Sequence, residues 1–171
     1  MITIDGGTGT ILHNGVKFNK ESDKMVDQWR IDDTSVNGTN IISSGWARCN
    51  DSTFIQIGTG MSESSGIFTF PQTGVYLIKV TFCYSSSGIS YLGAKIYGTT
   101  NNSSYTDIAD SFDGSVGGNQ YSGSYCEAVF DCANTSTHKV AIYGSTPSSA
   151  TMAGADDKHR SGVTFIRLGD T

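Results

Sequence analysis

Between residues 75 and 84 the chain alternates with a strict period of two: Tyr76, Ile78, Val80, Phe82 and Tyr84 fall on one face, and Val75, Leu77, Lys79, Thr81 and Cys83 on the other. That pattern predicts a strand buried on one side and largely covered on the other. Just before it, Phe68 and Phe70 run into Pro71, which fixes its own φ and steers Phe70 away from the helical region. Gly74 can then supply the positive φ of a tight connection. Nine further segments read as strands, at 28–31, 45–49, 53–57, 66–70, 91–98, 105–112, 123–132, 139–143 and 162–168. Almost nothing reads as helix, and the Ser- and Gly-rich stretches 85–90 and 113–122 are expected to form exposed loops. Ten strands in about 145 residues predict an all-β, two-sheet jelly roll whose edges are protected by Greek-key pairing. No internal repeat is evident, which argues against a solenoid or a propeller.

Residues 1–26 follow a different pattern. Ile2 and Ile4 alternate ahead of Asp5-Gly6-Gly7, a second short run ends in Ile11 and Leu12, and His13-Asn14-Gly15 is a hairpin turn leading into Val16 and Phe18. These strands are too short to bury a core of their own, and the charged stretch 19–24 reads as a hinge. The expectation is an amino-terminal β arm at 1–26, ahead of one domain at 27–171. Such an arm becomes ordered by pairing with its own domain, a neighbouring subunit or another protein; a disordered leader is the alternative.

Composition narrows the class. At 171 residues, 37% hydrophobic and only 16% charged, with 21 Gly, the chain can bury a core without metals or disulfides and keeps a polar, uncharged surface. A net charge of -5 with no cluster of Lys and Arg argues against a nucleic-acid partner. No apolar run is long enough to enter a membrane as a helix, and the first residues lack the basic and apolar regions of a secretory signal, so synthesis as a soluble cytoplasmic chain is expected. Cys49, Cys83, Cys126 and Cys132 lack zinc-ligand spacing. Cys126 and Cys132 share a strand face with Ala128 and Phe130, about 20 Å apart along an extended strand, and read as small buried hydrophobes.

The search for chemistry finds no nucleophile elbow, because Gly60-Met61-Ser62-Glu63-Ser64 ends in Ser where Gly is required. His13, His138 and His159 share no spacing, and Gly6-Gly7-Thr8-Gly9 lacks the Gly-Lys-Ser/Thr ending of a phosphate loop. Asp32-Asp33, the Asp107, Asp110, Asp113 series and Asp156-Asp157 do not follow the loop spacing of a calcium hand. No catalytic residue, metal ligand or cofactor is therefore expected. Two loop sets have the residue types of a ligand surface: Tyr105, Asn119, Gln120 and Tyr121 in a Gly- and Ser-rich region, and Asp156, Asp157, His159 and Arg160 in a mixed-charge turn.

The phrase Phe68-x-Phe70-Pro71-x-x-Gly74-x-Tyr76 resembles the signature strand pair of the C1q/tumour-necrosis-factor-like jelly rolls, and 162–169 resembles their closing strand. Trp29 and Trp46 lie where that family carries its opening strands, so the likeness spans roughly residues 27–171. The stretch 57–70, with 101–105 and 164–171, is more narrowly similar to C1q-like virion proteins of marine bacteriophages. The resemblance implies a C1q/TNF-like jelly-roll β-sandwich that assembles as a homotrimer, burying more than about 2,000 Å². Phe68, Phe70, Gly74, Tyr76, Ile78, Val80, Tyr143 and Phe165 are then candidates for the core or the trimer axis. It further implies a non-enzymatic virion protein, a head or tail appendage such as a fibre or capsid decoration. The arm residues Ile2, Ile4, Ile11, Leu12, Val16 and Phe18 would anchor it to other virion proteins, and its loops would contact a host surface glycan or protein. The alternative is a soluble C1q-like lectin or recognition module for cell-surface glycans.

Overall fold

The alternation at 75–84 is realised in β9 (Gly74–Ser86), where Tyr76, Ile78, Val80, Phe82 and Tyr84 are sealed from solvent and the opposite face is half-buried. The computed structural model describes residues 2–5, 10–13, 16–17, 24–86, 89–114 and 120–171, and among them there is no helix. Five strands form a front sheet in the order β6 (Trp46–Arg48), β4 (Val26–Ile31), β14 (Gly162–Gly169), β9, β12 (Gln120–Cys132). The back sheet is centred on β13 (Lys139–Met152), which pairs with β10 (Tyr91–Thr99), and β10 with β11 (Thr106–Gly114). The other edge of β13 takes β8 (Ile67–Thr69) and then β5 (Thr34–Ile41), while β7 (Ser62–Ser64) pairs with β8. At its end β13 crosses to pair Thr151 and Met152 with Ser85 and Tyr84 of β9, so hydrogen bonding continues from one layer into the other.

Aromatic side chains fill the space between the layers. Phe68 of the back sheet meets Trp29, Trp46 and Phe165 at ring distances of 5.6, 5.2 and 5.0 Å, and Phe70 packs on Tyr76 and Phe130 at 4.6 and 5.3 Å. Ile78, Val80, Val140, Ile142 and Val163 complete the contact surface. Phe68, Phe70, Tyr76, Ile78, Val80 and Phe165 are thus interior residues of one subunit. Tyr143 lies elsewhere, on the outer face of the back sheet, where its ring sits 4.2 Å from that of Tyr97. All four cysteines are free thiols, and burial pushes those of Cys126 and Cys132 up to about 12 and about 11.

Gly74 has φ +146, and a Cβ there would lie 2.6 Å from both the Gly169 carbonyl oxygen and the Arg167 Nε. Gly74→Val is therefore expected to cost more than about 1 kcal/mol, since a β-branched residue is strained at positive φ. Urea unfolding checks this, and an unchanged midpoint would remove the special role of the turn.

Several strand expectations need correction. Residues 53–57 do not form a strand: the Asp51 carboxylate accepts hydrogen bonds from Thr53 N, Thr53 Oγ1 and Phe54 N, a side-chain turn that competes with sheet pairing, and only Ile57 bridges to Val26. β5 and β7 arise where none was expected, and β13 continues past Tyr143 through Pro147, which falls where the pairing shifts register between Thr146 and Ala150. The loop expected at 113–122 is shorter, because β11 runs to Gly114 and β12 starts at Gln120; likewise Ser85 and Ser86 belong to β9. Near the amino terminus, β1 (Ile2–Asp5), β2 (Thr10–His13) and β3 (Val16–Lys17) form a separate antiparallel sheet that pairs Ile4 with Ile11 and His13 with Val16. Of the expected arm residues, Ile2, Ile4, Ile11, Leu12 and Val16 lie in these strands and Phe18 lies outside the described residues. Met25 is buried in the jelly-roll core.

Candidate functional site

The outward face of the front sheet carries an apolar row set by strand register. Val129 of β12 pairs with Leu77 of β9, Leu77 with Ile166 of β14, and Ile166 with Val26 of β4; Val26 in turn bridges to Ile57. Directly paired residues point to the same side of a sheet, so five aliphatic side chains cross the face in a continuous stripe. Val129 is 64% exposed and Ile57 47%, and the three between them are half-buried by their neighbours. The next row is polar: the Lys79 ammonium lies 3.8 Å from the Glu127 carboxylate, and Gln28 Nε2 donates to Thr164 Oγ1 at 3.1 Å. Tyr125 then continues the face, its hydroxyl donating to Glu127 and its ring 5.7 Å from Lys79 Nζ. An aliphatic stripe bordered by paired polar groups has the anatomy of a protein-protein contact.

Beneath the same sheet lies a buried charge network. Asp27, fully buried, accepts from Arg48 Nε at 2.9 Å, Arg48 Nη2 at 3.2 Å, Trp29 Nε1 at 2.9 Å and Met61 N at 2.8 Å. Arg48 also donates to the Met61 carbonyl and stacks 4.5 Å over Trp29. The Asp27 carboxylate is saturated by these four donors, so the cluster ties together β4, β6 and the 49–61 connection.

The residues expected to form ligand loops do not converge. Tyr105 stands at the start of β11, half-buried beside Tyr143, and burial followed by the Tyr143 neighbour raises its hydroxyl pKa. Tyr121 pairs with Ser85, near the far end of β11, where Ser122 Oγ donates to the Gly114 carbonyl. Nine residues of strand, about 30 Å, separate the two ends. The 153–161 turn lies on the Tyr121 side, since Ala153 N donates to Cys83 O at 2.7 Å. There Asp156 and Asp157 are exposed, Lys158 pairs with Asp157 at 2.7 Å, and Arg160 Nη1 donates to Gly154 O at 3.0 Å. His159 is half-buried, and burial pushes its pKa below the ordinary value. Gln120 opens β12, and Asn119 lies outside the described residues. No three His, Cys, Asp or Glu side chains gather into a cation-binding group among the described residues; Asp107 and Asp110 instead hold Lys95 between them, at 2.6 and 3.0 Å.

Two facing antiparallel sheets, with the front order β6-β4-β14-β9-β12 and the aromatic core between them, define a TNF/C1q-like jelly-roll domain. Among solved structures the chain is similar to Eiger TNF from S. frugiperda, at 11% identity and a TM-score of 0.64 over 86% of this chain and 94% of that one. It is also similar to murine APRIL at pH 5.0, at 13% identity and a TM-score of 0.63, and to murine APRIL at pH 8.5, at 14% and 0.61. Each APRIL match covers 85% of this chain and 99% of that one. At these identities the likeness is one of fold. No family model and no curated protein matches the sequence.

Proposed function

We propose that this chain is a non-enzymatic, homotrimeric virion protein of a phage, a head or tail appendage held by its amino-terminal arm. The observation that carries the assembly is the aliphatic stripe Ile57-Val26-Ile166-Leu77-Val129, which one subunit leaves open to water and two further copies would cover. Burying such a stripe stabilises association by roughly 25 cal/mol per Å² of apolar surface, before the costs of ordering. The TNF-like fold of the neighbours supports the same reading. The separate three-stranded sheet of β1, β2 and β3 supports the arm as the element that pairs with another virion protein.

Removing residues 1–23 tests the anchor, because truncation there leaves Met25 in the core. The shortened chain is expected to remain a folded trimer and to be missing from purified particles when supplied in place of the full chain. Unfolding of the truncated protein, or its normal incorporation, would contradict the arm as anchor.

A further inference from the structure

A second surface, on the outer face of the back sheet, is built differently. One cross-strand row runs Phe112 of β11, Gly93 of β10, Ser145 of β13 and Thr39 of β5. Gly93 has no side chain, and the Phe112 ring lies across it, since a Cβ there would stand 2.6 Å from the ring. Tyr91 closes one side, its ring edge-on to Phe112 at 5.4 Å, and Lys95 stands in the next row. These residues enclose an open cleft of about 430 Å³, within the range of small-ligand sites. Phe112 is 48% exposed and Tyr91 38%, so two aromatic rings at right angles face the solvent.

We infer that this cleft binds the ring of a neutral hexose belonging to a glycan. The C–H bonds of a sugar ring pack against the electron-rich face of an aromatic ring, and the Tyr91-Phe112 corner offers such faces. Polar groups stand opposite: the Thr39 and Ser145 hydroxyls are hydrogen-bonded to each other at 2.7 Å, which leaves one O–H to donate and lone pairs to accept, with Thr39 the exposed member of the pair. The Lys95 ammonium donates to Asp107 and Asp110 and lies 5.2 Å from the Phe112 ring centroid, so the sugar packs on the exposed parts of the Tyr91 and Phe112 rings that Lys95 does not cover. One ammonium between two carboxylates leaves the cluster with a net negative charge, which disfavours acidic sugars and offers acceptors to sugar hydroxyls. The cleft lies on the back sheet and the aliphatic stripe on the front sheet, so the site does not rest on the proposed trimer contact.

The test is a titration of the full chain, followed by NMR, with the methyl glycosides of glucose, galactose and mannose and with N-acetylglucosamine; glucuronate and putrescine serve as charged comparators. At least one neutral sugar is expected to bind saturably and to shift the ring protons of Tyr91 and Phe112. Phe112→Ala and Tyr91→Ala should each weaken that binding about tenfold, with circular dichroism and solution mass unchanged. Three results would overturn the inference: no saturable neutral sugar, neutral-sugar binding indifferent to both substitutions, or tighter binding of glucuronate or putrescine than of every neutral sugar.

Discussion

Arg48→Met is expected to lower the unfolding free energy by about 3–5 kcal/mol, because it leaves a buried carboxylate without its countercharge. Methionine retains an apolar stem to cover Trp29, so the loss isolates the guanidinium. Asp27 is fully buried, and after the substitution only the neutral donors Trp29 Nε1 and Met61 N remain to it. The converse change is milder. Asp27→Asn leaves an arginine whose side chain is 33% exposed and can turn to water, so a cost of about 1–3 kcal/mol is expected. Urea unfolding followed by tryptophan fluorescence distinguishes the two, since Trp29 belongs to the network. Equal losses would mean that desolvation of the carboxylate does not dominate.

Leu77→Asp should convert the proposed trimer to a folded monomer. Leu77 sits at the centre of the aliphatic stripe, between Val129 and Ile166, and a carboxylate there would have to be stripped of water in each subunit contact, at several kcal/mol apiece. In the isolated subunit the same group can stay hydrated, so the fold should persist. Val129→Asp provides a second reading, since its site is 64% exposed in one subunit and the substitution should cost the monomer no more than about 0.5 kcal/mol. A trimer that survives both substitutions would move the contact to another face.

The parts of the fold legible in the sequence are those where one physical signal dominates. β9 announces itself because ten consecutive residues alternate, and the turn ahead of it because Pro71 and Gly74 each restrict or permit one backbone region. β5 was not legible: of Thr34–Ile41 only Val36 is buried, so no apolar period exists, and the strand forms because β13 offers an edge. At 53–57 the apolar period was present and misleading, since the Asp51 turn satisfies the backbone locally and leaves Ile55 in water. Ser122 reads as the end of a loop, yet it lies inside β12, buried and donating to the Gly114 carbonyl. Both candidate surfaces depend on register. Leu77, Ile166 and Val26 lie far apart in the chain, as do Thr39, Phe112 and Ser145, and nothing in the local sequence of any strand states which residue will stand beside it.

The most direct measurement is the solution mass of the full chain by light scattering, across a dilution series. The account predicts three times the 18.2 kDa subunit mass, held down to low protein concentration as expected for an obligate apolar contact. A mass of one subunit throughout the series would contradict it, and would leave the aliphatic stripe of the front sheet without the partner assigned to it here.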